Sequence, residues 1–377
     1  MAAPLPVSLF LCGDVMTGRG IDQILPHPGP PQLTESVARS ALDYVRLAER
    51  VSGPISRPVD FSYIWGDALS ELRHRRPDAR LINLETALTT SGRPWPGKAV
   101  HYRMHPANAA CLAAAAIDCC ALANNHLLDW GTLGLTETLD TLHHAGIHGT
   151  GAGRNGSAAQ APAILELPGK GRLLVFSWAT ADSGAPPQWA AGPGQAGINW
   201  LPGLSPESLE QVAQRVRKDK RPGDVAVVSL HWGSNWDFSI SREARDFAHG
   251  LVDTAGVDLV HGHSSHHIKA IEIYRGRPIL YGCGDFLNDY EGIGGYDAFG
   301  SGFSFMYFPV LDAVSGTLQS FTLVPTEIRG LQVRHAGSAG ADWLFNTLSR
   351  ESRPFGTTVQ RENGGQLRLH WDGETGS

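Results

Sequence analysis

Apolar runs of strand length alternate with amphipathic helical patterns along most of this chain, and that alternation limits the possible folds more than any other feature. The runs fall at 7–12, 80–84, 117–123, 173–178, 224–230 and 257–260, with helical patterns at 42–50, 64–73, 107–116, 133–144 and 242–254. Strands separated by helices of that length predict βαβ units and an α/β sheet. After residue 268 the spacing shortens. Strand candidates at 268–274, 278–281, 303–311 and 318–324 follow closely, predicting an antiparallel portion, and a helix at 342–350 and a strand at 366–370 complete the chain. No repeat or low-complexity linker divides the 377 residues, so one α/β unit is read over 1–377, with its core at 6–330 and a C-terminal extension at 331–377.

Composition then excludes several classes. A net charge of −6 offers no electrostatic attraction to nucleic acid or to an anionic membrane. The basic run at 73–76 falls on a helical pattern and reads as a solvated face. No apolar stretch approaches the roughly 18 residues of a membrane span. The opening "MAAPLPVSLFLCGDVM" has no cationic segment and runs into an acidic residue, so it reads as a first strand and not a signal peptide. The five cysteines are odd in number, lack a C-x-x-C and lie in apolar surroundings; buried reduced thiols and a cytoplasmic location are expected. "GAGRNG" at 151–156 is read as a turn, since no good helix follows it to face a pyrophosphate. The Pro/Gly-rich stretch 184–203, with Trp189 and Trp200, is a rigid loop or a lid.

Polar residues gather just after the strand runs, where α/β sheets form their ligand sites. "LCGDVM" delivers Asp14, "LINLET" Asn83 and Glu85, and "ALANNHLLDWG" Asn124, Asn125, His126 and Asp129. "VVSLHWGSNWD" delivers His231, and "DLVHGHSSHHIKAIE" places four histidines, 261, 263, 266 and 267, within seven positions. Each has an ordinary structural role open to it: Asn125 could cap a helix, Asp14 hold a turn, His231 pack in a core. Five segments converging on one rim point instead to a metal site, because imidazole and carboxylate are the common ligands.

The ordered set "GDVM", "NLET", "NNHLLDWG", "HWG", "GHSSH" and "YGCGDF", across residues 8–290, resembles the CapA (poly-γ-glutamate/capsule synthesis) family of the calcineurin-like metallo-dependent phosphatase fold. The resemblance implies an α/β/β/α sandwich of two mixed sheets with a metal site over their edges. The chain also departs from the pattern. Met16 stands where dinuclear phosphatases of this fold carry a histidine ligand, Glu85 replaces a bridging aspartate, "GHSSH" replaces G-H-H-P-H, and Asp285 stands where asparagine is usual. A weakened second metal position makes two-metal phosphoester hydrolysis a poorer fit.

What remains is Asp14, Glu85 and Asn125 as oxygen ligands with His231 and His263 as nitrogen ligands. That set suits one divalent ion, Ca²⁺ first and Mn²⁺ or Mg²⁺ next, with no organic cofactor. His126 is expected to pair with Asp14 or Asp129, and His266 with Asp285, each carboxylate orienting its imidazole. With Asp14, His126, His266 and Asp285 as the acid/base groups, the expected reaction is inversion of a peptide Cα centre, as in the lasso-peptide epimerases that the chain resembles. The alternative is a metal-dependent hydrolase of phosphoester, peptide or isopeptide bonds in polymer metabolism. A ribosomal precursor peptide is the expected partner, held by Lys98 and Arg103 as carboxylate clamps and by Trp95, Trp189, Trp232 and Trp236 as loop aromatics.

Overall fold

The computed structural model describes residues 5–35 and 38–372. Each of the early apolar runs is a strand: Val7–Val15, Ala79–Leu84, Cys119–Ala121, Gly171–Thr180, Val225–His231 and Leu259–His263. They divide between two sheets. In the first, of ten strands, Val7–Val15, Ala79–Leu84, Cys119–Ala121 and His148–Thr150 run parallel. The sheet then continues antiparallel through Phe303–Leu311, Leu318–Ile328, Leu367–Trp371 and Thr357–Arg361. The C-terminal segment beyond 331 thus adds strands to this sheet, apart from 373–377, which lie outside the described residues. The second sheet has seven strands and carries Gly171–Thr180, Val225–His231, Leu259–His263 and Arg277–Leu280 in parallel, with Ile271–Tyr274 antiparallel at its edge.

Period-two alternation sorts the side chains into layers. Leu9, Leu11, Val225 and Val227 lie in one buried cluster between the sheets. The intervening Phe10 and Cys12 face outward with Val45, Leu72 and Leu142, which come from the helices Ala41–Ser52, Ala68–Arg75 and Gly131–His144. On the opposite side Ala226 and Val228 pack against Val212, Val216, Phe247 and Leu251, which come from Pro206–Asp219 and Arg242–Ala255. The result is an α/β/β/α sandwich of two mixed sheets. All five cysteines are buried and unpaired within it.

Two sequence readings need correction. The helix Pro206–Asp219 went unread although Ser205 caps it and Pro206 opens it, because its charged face outweighs a narrow apolar stripe. "GAGRNG" does lead into a helix, but one of five residues, Gly156–Gln160, whose Asn155 side chain caps Ala158 N–H at 2.9 Å.

Candidate metal and acid/base centre

Strand register assembles the site. Val7–Val15 lies between Asp285–Leu287 and Ala79–Leu84, and the parallel pairing sets Asp14 beside Asp285 on one side and Asn83 on the other. Asn83 Nδ2 donates to Asp14 Oδ1 at 2.7 Å and to Glu85 Oε2 at 3.2 Å. Asn124 Nδ2 in turn donates to Asn83 Oδ1 at 3.1 Å, which fixes the orientation of that amide. In the second sheet the pairing sets His231 beside His263 and Ser229 beside His261. The two sheet edges then meet: His263 Nδ1 lies 3.8 Å from Asp14 Oδ1, His231 Nε2 lies 3.9 Å from Glu85 Oε1, and the His231 and His263 Nδ1 atoms are 2.9 Å apart. Ser264, next in the chain, adopts φ 96° while its N–H reaches Asp14 Oδ2 at 3.3 Å. A non-glycine residue in that region costs on the order of 1–3 kcal/mol, and such strain tends to collect at functional sites.

The centre is short of positive charge. Burial first, and then the charge of Asp285, raise Asp14 to about 7. Burial and the neighbouring Asp14 likewise hold Glu85 well above the usual carboxylate range. Asn83 bridges the two carboxylates by donating to both. Asn125 Oδ1 and His231 Nε2 are buried with no hydrogen-bond partner, and burial keeps His231 neutral, its pKa well below the ordinary value. Clustered carboxylates, a partnerless amide oxygen and a bare imidazole nitrogen are what a divalent cation would satisfy. Among the described residues, two overlapping groups bring ligand atoms within 4.8 Å of one another: Asp14, His231 and His263, and Asp14, His266 and Asp285.

Two imidazole–carboxylate pairs flank this cluster. His266 Nδ1 lies 2.9 Å from Asp285, whose other oxygen accepts from Asn288 at 2.7 Å. Burial lowers the His266 pKa, but the charge and hydrogen bond of Asp285, with Asp14 beyond, outweigh it and the net shift is upward. Of the two carboxylates expected for His126, Asp14 and Asp129, the fold brings Asp129 to the ring. His126 Nδ1 sits 2.6 Å from Asp129 Oδ2, while Asp14 is held by Asn83 and Ser264. Burial brings His126 down to about 4 even against the pull of Asp129.

A buried aromatic box unforeseen from the sequence closes one side. The ring of Tyr102 meets His126 edge-on with centroids 4.7 Å apart, Tyr290 meets His266 at 5.7 Å, and the two tyrosine hydroxyls hydrogen-bond at 2.9 Å. Behind them Arg19 stacks on Tyr44 and Tyr102 and pairs with Glu35 and Asp289. Arg19 lies in a glycine-flanked turn, so no periodicity marks it; only its neighbours do.

The residues expected to hold substrate are scattered by the fold. Lys98 contacts Asp129 and the Asn125 carbonyl, so it neutralises the His126 pair and is no free clamp. Arg103 stacks on Trp130 at 3.8 Å and lines a separate recess with Asp22 and His101. Trp189 is fully buried, with Trp95 against it in a T-shape at 5.6 Å. Trp232 is buried on Tyr281 and donates its Nε1–H to the Tyr281 carbonyl at 3.0 Å. Both anchor loops, because an indole filling a core position leaves no face for a ligand. Trp236 differs. It stacks on Tyr296 at 4.0 Å, lies 5.1 Å from His266, and walls a groove of about 700 Å³ with Leu47, Tyr290 and Ile293. Arg46 and Arg50 stand on its rim.

Among the described residues, no helix is long and apolar enough to cross a membrane. The family described as "Bacterial capsule synthesis protein PGA_cap" matches residues 8–290, a span that contains the whole centre. The chain is 49% identical over 358 residues, 94% of each chain, to a Mycobacterium tuberculosis protein named "Probable polyglutamine synthesis accessory protein". It is 23% identical to the "PGA biosynthesis protein CapA" of Bacillus subtilis, covering 75% of this chain and 63% of that one. Against the "Capsule biosynthesis protein CapA" of Bacillus anthracis the identity is 25%, over 75% and 60%. With the sandwich fold, the ordered motifs and a family match over most of its length, the chain belongs to the bacterial capsule synthesis protein (PGA_cap, CapA) family.

Proposed function

We propose that this chain hydrolyses amide bonds in a peptide or amino-acid polymer with the help of a divalent cation, in the polymer metabolism for which its relatives are named. The observation that carries the reading is the opposed bias of the two imidazoles: His266 is held toward its protonated form by Asp285, and His126 toward its neutral form by burial. An acid and a base kept apart in this way can work in one turnover. His126 Nε2 takes a proton from water as the water oxygen bonds to the carbonyl carbon. His266 gives its proton to the departing nitrogen as the C–N bond breaks. Asp129 and Asp285 orient the two rings, and the groove beside Trp236 holds the chain near His266.

Asp14, Glu85, Asn125, His231 and His263 are the residues that would hold the cation, which when bound supplies positive charge to offset the developing oxyanion. Two imidazoles in that set move the preference from Ca²⁺ toward Mn²⁺. Poly-γ-glutamate and polyglutamine oligomers, incubated with the Mn²⁺-supplemented chain in H₂¹⁸O, should yield new amino termini and one ¹⁸O per new carboxyl. Intact polymer with no ¹⁸O incorporated would refute hydrolysis.

Inversion of a peptide Cα centre is a second reading, favoured by the separateness of the two pairs, since each imidazole has its own carboxylate. Here one imidazole removes the Cα proton and the other returns one to the opposite face. A precursor peptide in D₂O would then gain one deuteron at the inverted carbon without cleavage. Shortened peptide free of deuterium at Cα would exclude it.

A further inference from the structure

Two buried residues outside the ligand set determine what His263 presents to the centre. Cys12 belongs to the first sheet, and its carbonyl can only accept a hydrogen bond. His261 Nε2 lies 2.7 Å from that oxygen and must carry a hydrogen. His261 is fully buried, and among the described residues it touches no carboxylate; its hydrogen-bonding partners are the Cys12 carbonyl and the Ser229 hydroxyl. A second proton would be an uncompensated buried charge, so Nδ1 bears a lone pair. Ser229 Oγ, 3.0 Å from that Nδ1, gives it its single hydrogen. Only lone pairs remain on Oγ, and His263 Nε2 at 2.8 Å must therefore be the donor. In the neutral ring that leaves Nδ1 of His263 bare, 3.8 Å from Asp14 Oδ1.

We infer that Ser229 and His261 are positioning residues: the chain from the Cys12 carbonyl through His261 and Ser229 locks His263 as its Nε2–H tautomer, so that Nδ1 is the atom offered to a divalent cation. The same assignment accounts for a neighbouring atom. With only a lone pair on His263 Nδ1, the 2.9 Å contact is a hydrogen bond donated by His231 Nδ1–H, which a cation at His263 Nδ1 would displace, and His231 Nε2 is left as the lone pair that has no partner. Strand register makes the chain possible, since Ser229 and His261 are paired one pleat below His231 and His263 and face the same side. It also spans the sheets, ending two residues from Asp14. Orientation of a ligand imidazole by a hydrogen bond at its second nitrogen commonly carries about 10–100-fold in metal affinity.

The cation-binding part rests on the metal-centre reading, whereas the tautomer does not, and the experiment separates them. The full chain with ¹⁵N-labelled histidine, freed of metal, is examined by long-range ¹H–¹⁵N correlation, with His261→Gln and His263→Gln identifying the two rings. Both are expected as Nε2–H; an Nδ1–H signature for His263 overturns the relay. Mn²⁺ titration calorimetry follows. Ser229→Ala should weaken binding about 10–100-fold, while Ser229→Thr, which keeps the hydroxyl, should stay near the parent. Equal affinity for parent and Ser229→Ala, with thermal unfolding confirming that both are folded, overturns the positioning role, as does a parent chain that binds no Mn²⁺. Failure to cleave any polymer, with tautomer and affinity as expected, would count only against the proposed reaction.

Discussion

Cation binding at this centre should release a proton, and its affinity should depend on pH in a way set by Asp14. Burial and Asp285 raise that carboxyl to about 7. A cation must displace its proton, because a ligating oxygen offers its lone pair in the charged form. For the Asp14 proton alone, affinity should level off above about pH 7; below it, each pH unit should cost about tenfold, or about 1.4 kcal/mol. From pH 8 to pH 6 the expected loss is about tenfold for one proton. Titrating Mn²⁺ into the full chain in two buffers of different ionisation enthalpy measures the release directly: close to one proton at pH 6 and about a tenth at pH 8. Metal-free stability carries the matching sign. The folded state keeps this proton between the ordinary carboxylate pKa and about 7 while the unfolded chain has lost it, so stability should fall as pH rises through that window and return on adding Mn²⁺. Asp14→Asn should bind more weakly and lose the pH dependence. Zero proton release at pH 6 with pH-independent affinity would refute the reasoning.

Other consequences follow from the same contacts. His126→Gln and His266→Gln should each lower kcat by about 10²–10⁴ while the variants still bind Mn²⁺; unchanged turnover in either would remove that residue from the chemistry. Arg19→Met leaves Asp289 and Glu35 buried without their guanidinium, and urea unfolding should show a loss of about 3–5 kcal/mol, as for a buried pair deprived of one partner. The two tryptophans should separate cleanly. Trp236→Ala should raise KM for a polymer with stability little changed, whereas Trp232→Ala should cost about 3–5 kcal/mol in stability, a loss that unfolding curves would reveal.

The sandwich could be read in the sequence because it is written in short-range patterns. Alternation in "VAVVSLH" and "VSLFLCGDV" sends successive side chains to opposite faces, and the strand–helix order leaves few ways to bury both. The polar residues at strand ends were legible for the same reason: parallel strands finish together, so Asp14 and Asn83 arrive in one row, and Asp285, which opens its own short strand, pairs with Asp14. Partnerships across tens or hundreds of residues were not. Nothing local says that Asp129 rather than Asp14 takes His126, since both lie just beyond strands and only the turn after Asn125 brings Asp129 within 2.6 Å. Tryptophan roles failed similarly. An indole in a loop looks the same in sequence whether it is packed on Tyr281 or open to a groove.

The histidine cluster shows where local pattern ends and tertiary placement begins. Period two puts His261 and His263 on one face of their strand, and the chain's turn at Ser264 breaks the period, so that His266 and His267 need not share it. That much the spacing contains. It does not contain the fact that the shared face looks across to the first sheet, where Cys12 offers a carbonyl and Asp14 a carboxylate. One rung deeper, His261 meets the carbonyl and becomes a donor; at the rim His263 approaches the carboxylate with its bare nitrogen; His266 reaches Asp285; His267 turns back to its own backbone and to Phe238. Four identical side chains thus acquire four different protonation environments from the two-residue pleat, one strained turn and the packing of one sheet edge on another.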